Sequence, residues 1–350
     1  MKSIHIPRLI FALSLVMGLF LPSCAHKERL PTTLTDIEGQ CRKIQTGPGP
    51  EDFVLDTWHG QPRFLISSHE RREPAPGGDI YFYVPESGDA GILNRTGEPG
   101  RLTAFKPHGM DIRHTSGGTY LYVILHDPYG SGERKENAVG VYRVLEDQLE
   151  MVQMLEDVEH LWSPNDLSVL ENGDIYLTND CRGKLDLYLK REASEIAFYD
   201  AKTEKWQIVA DELAFANGIL AEPDQVFVTT TLGNQVLLYP RNADGTFGEC
   251  QLVTTLKGGD NLTRYGKHLL VTAHFNDFAF LKHSKDPEKP APTVVMRITP
   301  ETGMKKAIYV NSGEFISAAS TACIYNDKIY ISQVFDPFLV VCDAPPDINW

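Results

Sequence analysis

The sequence has no apolar run long enough to cross a membrane as a helix. The longest, Leu9 to Leu21, stops at 13 residues, where about 20 are needed. It has no long helical pattern, no coiled-coil heptads and no low-complexity tract. Gly-x-Ser-x-Gly and His-Glu-x-x-His are both absent, which argues against a serine-triad hydrolase and a helical zinc site. Positive charge is scarce: 33 Lys and Arg face 47 Asp and Glu, a formal net charge of −14. Such a surface repels phosphate backbones, so nucleic acid is not an expected partner, while bound cations are. Turn formers, in contrast, are plentiful, with 28 Gly and 22 Pro.

The first residues read as a leader. Lys2 and Arg8 precede or open the apolar run, and the small Ser23 stands before Cys24, the pattern of a secretory signal over residues 1–23. Leu21-Pro-Ser-Cys24 resembles a bacterial lipobox, in which the cysteine carries the lipid. A lipidated Cys24, a polar tether over 24–40 and a cell-envelope location (outer membrane or periplasm) are the expectation. A plain signal and a secreted protein are the alternative. Membrane contact is expected only through that anchor.

Downstream, a short strand pattern recurs. It reads Phe64-Leu-Ile-Ser-Ser-His69, Leu121-Tyr-Val-Ile-Leu-His126, Ile175-Tyr-Leu-Thr-Asn-Asp180, Val226-Phe-Val-Thr-Thr-Thr231, Leu269-Leu-Val-Thr-Ala-His274 and Ile329-Tyr-Ile-Ser-Gln-Val334. The last residues are 57, 54, 51, 43 and 60 positions apart. Before each stands a polar node: Glu51-Asp52, His108-Gly109, Asn165-Asp166, Asn217-Gly218, Asp260-Asn261 and Ser317. Further β-branched and aromatic runs follow each copy, separated by turns such as Glu171-Asn-Gly-Asp. Six copies of an all-β unit at a period near 50 predict one domain, a six-bladed β-propeller of four-stranded blades over 41–342, with a tail at 343–350. The polar insertions at 130–138 and 277–292 are read as loops beside a pocket.

In a closed ring the chain ends meet, so Cys41 and Cys342 are placed for a disulfide; two free thiols are the alternative. Cys181, Cys250 and Cys323 are expected to stay reduced. If each node opens the innermost strand of its blade, Glu51, Asn165, Asn217, Asp260 and Asn261 converge on the channel. Carboxylate and amide oxygens without thiolate form a hard-cation set suited to Ca²⁺. Asp52 and Asp166, pointing the other way from their neighbours, are candidates for a second ion with the carbonyl of Met110. His108 and His126 fall on adjacent strands of one blade, near the channel mouth, where an imidazole is a natural base for water. His69 and His274 share the strand-end position and read as lining.

An ordered set of these segments resembles the paraoxonase/arylesterase family: Gly47-Pro-Gly-Pro-Glu-Asp-Phe, Lys106-Pro-His-Gly-Met, Leu125-His-Asp-Pro, Ser163-Pro-Asn-Asp-Leu, Leu177-Thr-Asn-Asp, Phe215-Ala-Asn-Gly-Ile, Gly259-Asp-Asn-Leu and Ser332-Gln-Val-Phe. The likeness covers about residues 41–342, with Cys41 and Cys342 matching the family's terminal disulfide. It implies two Ca²⁺ ions and lactonase or arylesterase activity on small lactones and esters. The catalytic ion would be held by Glu51, Asn165, Asn217, Asp260 and Asn261, and the structural ion by Asp52, Asp166 and Met110. His108 and His126 would be a water-activating dyad, and Phe215, His274 and Asp180 would belong to the substrate pocket. Two departures stand out: Ala273 replaces a cysteine that mammalian members carry, and the N-terminus resembles a cleaved lipoprotein signal. A regucalcin/gluconolactonase-type sugar lactonase and a non-catalytic, calcium-stabilised binding propeller remain the alternatives.

Overall fold

The computed structural model describes residues 41–57, 60–73, 77–132, 136–181, 183, 189 and 192–345. The leader, Cys24, the tether and the tail beyond residue 345 lie outside them. Regular structure is almost entirely strand, and no helix among the described residues is long and apolar enough to cross a membrane.

The strands form six antiparallel sheets, each built in chain order from the channel outward. Blade 1 is β2 (Pro50–Asp56), β3 (Arg63–His69), β4 (Gly78–Tyr83) and β5 (Ala90–Ile92). Blade 2 is β7 (Pro107–Thr115), β8 (Gly118–His126), β9 (Asn137–Val144) and β10 (Gln148–Glu156). Its outer edge also takes β6 (Asn94–Thr96) in parallel pairing, a fifth strand drawn from the preceding connection. Blade 3 is β11 (Pro164–Val169), β12 (Ile175–Asn179), β13 (Ser194–Asp200) and β14 (Lys205–Leu213). Blade 4 is β15 (Ala216–Ala221), β16 (Gln225–Thr230), β17 (Gln235–Pro240) and β18 (Gln251–Thr255). Blade 5 is β19 (Gly259–Tyr265), β20 (His268–Ala273), β21 (Thr293–Thr299) and β22 (Met304–Asn311). Blade 6 is β23 (Ala319–Tyr325), β24 (Lys328–Gln333), β25 (Phe338–Asp343) and, on its outer edge, β1 (Cys41–Gln45).

That last pairing closes the ring. The N-terminal strand completes the C-terminal blade, and the Cys41–Cys342 disulfide joins directly opposed residues of β1 and β25. Cys181, Cys250 and Cys323 stand outside any disulfide. Apolar side chains fill the wedges between blades. Phe53, Phe64 and Tyr330 meet where blades 6 and 1 face each other, with Phe64–Tyr330 ring centroids 4.5 Å apart. Tyr176 and Phe198 pack toward Ile219 and Val228 between blades 3 and 4.

The insertion at 277–292 contains a helix, α1 (Asp277–His283), capped by Asn276, whose side chain accepts from the Ala279 amide. A segment this short is read as loop in the sequence because the N-cap and the Phe280 contact, not periodicity, make it helical.

The inner strands share one device. In every blade, the residue ending the recurrent strand pattern donates its N–H across to the residue two before the node: His69 to Gly49, His126 to Lys106, Asp180 to Ser163, Thr231 to Phe215, His274 to Gly258 and Val334 to Ala318. Each inner strand then breaks register just after the node. Such irregularities re-aim side chains. The node is therefore the second residue of β2, β7, β11, β15, β19 and β23, which corrects the sixth copy. Ser317 lies before β23; the equivalent residue is Ser320.

A row of hydroxyls stitches blades 3 to 6, and blade 6 to blade 1, beneath the nodes. Thr178 Oγ1 receives the Asp166 amide of its own blade and donates to Asn217 O of the next, at 3.2 and 2.5 Å. Thr229 does the same for the Gly218 amide and Asp260 O, at 2.9 and 2.6 Å. Thr272 donates to Ser320 O, and Ser332 joins blade 6 to blade 1 through Glu51 O at 2.7 Å. Gly109 and Gly218 let the inner strands approach this closely. A Cβ at Gly109 would lie 2.5 Å from Asn165 O, and one at Gly218 2.6 Å from Asn261 Cα.

Candidate metal and catalytic site

Two layers of side chains follow from that register. The first holds Glu51, His108, Asn165, Asn217, Asp260 and Ser320; the second holds Asp52, Asp166, Asn261 and Thr321, with Gly109 and Gly218 between them. All of the acidic and amide members are buried.

Across the two layers the side-chain nitrogens of Asn217 and Asn261 are committed to protein and their oxygens are not. Asn217 Nδ2 donates to Thr231 Oγ1 at 3.0 Å, and Asn261 Nδ2 to Thr321 Oγ1 at 2.9 Å and to Glu51 Oε1 at 3.2 Å. Glu51 Oε1 also receives Ser320 Oγ at 2.6 Å. Glu51 Oε2 and the Oδ1 atoms of Asn165, Asn217 and Asn261 are buried without any hydrogen-bond partner. One orphaned acceptor costs roughly 1–3 kcal/mol. Four in one channel, beside a buried carboxylate, are what a cation would satisfy. The residues therefore fit Ca²⁺. No three His, Cys, Asp or Glu side chains among the described residues form a metal-holding group; the set depends on its amides.

The second layer gathers two buried carboxyl groups with no ion-pair partner among the described residues. Asp52 accepts the amides of Phe53 and Met110, each at 2.8 Å, and the hydroxyl of Thr321 at 2.8 Å. Asp166 accepts the amides of Leu167 and Ile219, at 2.8 and 2.9 Å. Burial, then the neighbouring carboxylate, pushes both acids well above their usual range: Glu51 acts on Asp52, and Asp52 on Asp166. Burial also raises Glu51 and Asp260, opposed by Arg71 for the first and by His274 for the second. A divalent ion would remove that penalty. Beyond this layer, the far end of the channel opens into a cavity of about 230 Å³ lined by Asp52, Asp166, Thr321, Val54, Ile112 and Leu167.

At the channel head, His108 and His126 stack, with centroids 4.8 Å apart and planes 24° from parallel. His126 Nε2 donates to Pro164 O at 2.8 Å. Arg71, which the sequence reading passes over, reaches His108 Nδ1 at 3.0 Å. Burial first, then Arg71 and His69, holds His108 well below its ordinary pKa; burial and Arg71 likewise bring His69 down to about 4. His274 proves to be more than lining. Its Nε2 donates to Asp260 Oδ2 at 2.8 Å, and its ring packs on Phe280 of α1, centroids 4.5 Å apart. Phe280 also meets Phe335, so the insertion does reach the rim. Asp180 accepts Ser163 Oγ at 2.6 Å. Phe215 is held at φ +60°, a costly conformation for a bulky residue, and so directs the turn into Asn217.

The residues missed by sequence reasoning are Arg71, Ser320, Thr321 and Ser332. A signal for Ser320 existed: the fourth and fifth nodes stand 14 residues before their strand ends, and 14 before Val334 is Ser320. Nothing in the sequence marks Arg71, which lies after the strand and returns to the site through a turn.

The Arylesterase family model matches residues 74–343. Serum paraoxonase/arylesterase 2 of Bos taurus is 24% identical over 283 residues, 76% of this chain and 77% of its own length. Serum paraoxonase/lactonase 3 of Oryctolagus cuniculus is 27% identical over 251 residues, 66% of this chain and 67% of its own. Among solved structures, a gluconolactonase from Xanthomonas campestris superposes with a TM-score of 0.54 at 15% identity, covering 87% of this chain and 89% of that one. The calcium-binding protein regucalcin of Agrobacterium tumefaciens gives 0.52 at 11%, covering 86% and 94%. These two likenesses concern the fold.

Proposed function

The chain belongs to the arylesterase family, and from that premise we propose that it is a calcium-dependent hydrolase opening lactones and aryl esters at the head of the propeller channel. The observation that carries this reading is the set of four buried, unpartnered oxygens of Glu51, Asn165, Asn217 and Asn261 beside Asp260. These five residues would hold a catalytic Ca²⁺, and Asp52, Asp166 and the Met110 carbonyl a structural one. When bound, Ca²⁺ supplies Lewis-acid polarisation of the scissile carbonyl and positive charge for the oxyanion that develops.

The chain's own groups do the rest. Ser320, Thr321 and Ser332 fix Glu51 and Asp52, through their oxygens or their backbone, so that the carboxylates need not reorganise. His274 holds Asp260 by one oxygen. Phe280 packs on the ring of that histidine and is itself backed by Phe335. Hydrolysis adds water to the carbonyl carbon, breaks the carbonyl–oxygen single bond and leaves the departing oxygen protonated. It therefore needs a proton acceptor for the water and a donor toward the departing oxygen. Glu51 and the His108–His126 pair are the side chains at hand for those tasks.

The disulfide between Cys41 and Cys342 supports folding in an oxidising compartment, in line with the serum proteins among the relatives. We extend the proposal to an exported protein with a leader over 1–23 and a lipid on Cys24. Mass spectrometry of the mature N-terminus tests it: an unmodified terminus beyond Cys24 refutes the anchor.

The decisive assay uses the purified chain without its leader on γ- and δ-lactones and phenyl acetate, with Ca²⁺, after chelation, and after Ca²⁺ is restored. Turnover lost and regained with the ion is the expected result. Activity confined to sugar lactones would replace the substrate class. No turnover, with calcium still raising thermal stability, would make this a binding propeller.

A further inference from the structure

Arg71 follows β3 and turns back into the head of the channel, where its guanidinium is held by four acceptors. Nη1 donates to Gly49 O at 2.7 Å and to His69 O at 2.9 Å. Nη2 donates to Pro107 O at 3.4 Å and lies 3.0 Å from His108 Nδ1. A guanidinium has five donors and no acceptor. His108 Nδ1 must therefore present its lone pair to Arg71, and a neutral imidazole in that state carries its hydrogen on Nε2. Nε2 is the nitrogen left for the channel, at the strand position that Glu51, Asn165, Asn217 and Asp260 occupy in their own blades.

We propose that Arg71 is a positioning residue that locks His108 in the Nε2–H tautomer, so that His108 offers the substrate a hydrogen-bond donor and not the lone pair of a general base. For Nε2 to take a proton from water, its hydrogen would first have to move to Nδ1, where an Arg71 N–H already points: donor would face donor. The ring is also fixed from its other side. His126 stacks on it at 4.8 Å and is anchored through its own Nε2 to Pro164 O at 2.8 Å. His108 thus keeps its proton throughout and directs it at an oxygen on which negative charge grows as the carbonyl–oxygen bond breaks. The proton of the attacking water passes to the carboxylate of Glu51 and from there to the departing oxygen, which leaves as a hydroxyl.

The catalytic half of this inference rests on the hydrolase reading; the tautomer does not. The first test is a long-range ¹H–¹⁵N correlation spectrum of the calcium-loaded protein labelled with ¹⁵N-histidine, His108 being assigned by the signals missing in His108→Gln. A pyridine-type Nδ1 and a pyrrole-type Nε2 are expected; the reverse pattern overturns the proposal, whatever the enzyme hydrolyses. The second test is kinetic. General-base catalysis contributes about 10²–10⁴-fold, and Gln keeps an N–H donor while supplying no base. His108→Gln should lose no more than about 10-fold on phenyl acetate and δ-valerolactone, whereas a loss of about 10²-fold or more on both overturns the donor role. Arg71→Met should release the tautomer in the spectrum, and Arg71→Lys, which keeps a donor, should restore it. An unchanged His108 signal in Arg71→Met refutes the assignment to Arg71. A wild-type protein inactive on every ester would sink the hydrolase reading and leave the spectrum to decide the tautomer.

Discussion

Removing the cation should cost this protein much of its thermal stability, and the structure sets the scale. Without an ion, Glu51 Oε2 and the Oδ1 atoms of Asn165, Asn217 and Asn261 are buried acceptors with nothing to accept. At roughly 1–3 kcal/mol each, they represent about 4–12 kcal/mol of unmet interaction. Asp52 and Asp166 add a like-charge penalty that burial enlarges. Mass action limits how much of this appears as stability: a ligand at 1,000 times its Kd contributes about 4.1 kcal/mol. A domain of this size shifts its Tm by about 2 °C per kcal/mol, the lower end of the usual scale. Calorimetry in millimolar Ca²⁺ against EGTA should therefore separate the two states by on the order of 8 °C, reversibly, with Mg²⁺ a poor substitute. Asn217→Leu sharpens the test. It deletes one orphaned oxygen, together with the bond to Thr231, so the calcium-dependent gain should shrink more than the stability of the chelated form. A Tm that ignores chelation, or a full calcium response in Asn217→Leu, would refute the argument from orphaned oxygens.

Other consequences are open to single measurements. Thr229→Val strips the Gly218 amide and Asp260 O of their shared hydroxyl. Two buried polar groups left unpaired should cost about 2–6 kcal/mol in chemical denaturation, and a loss under about 0.5 would mean the stitching is incidental. Replacing Cys41 and Cys342 together by serine opens a closure spanning 301 residues, for which loop entropy allows up to about 5 kcal/mol; the five opposed residue pairs of β1 and β25 remain. The denaturation midpoint should fall clearly, and an unchanged midpoint would show that the ladder alone closes the ring. Arg72→Met breaks the contact with Asp336 at 2.6 Å and the bond to His283 Nε2 at 2.9 Å that tie α1 to the rim. Faster backbone hydrogen exchange confined to residues around 276–290 is expected, with no change there contradicting that role.

The division between what was legible and what was not follows from the range of each interaction. Period-2 strands ending in His69, His126, Asp180, Thr231, His274 and Val334 reveal blade number, because each strand is a local pattern. The five proposed oxygen ligands and the acidic pair emerge from the same repeat, since a node's place within its strand is also local. Ser320 was missed because the first two nodes stand 18 residues before their strand ends and the fourth and fifth only 14; hairpin length varies, and alignment by spacing slips with it.

The sequence by itself determined the ring of six sheets, the meeting of Cys41 with Cys342 and the oxygen-rich channel. These depend on patterns repeated along the chain. Only the tertiary structure decided what each polar group does there. It committed the amide nitrogens of Asn217 and Asn261 to Thr231 and Thr321, leaving their oxygens buried without a hydrogen-bond partner. It made His274 a partner of Asp260 and turned the Arg71 guanidinium onto His108. Polarity of this kind depends on which donor and acceptor meet within about 3 Å, and those partners come from blades far apart in the chain.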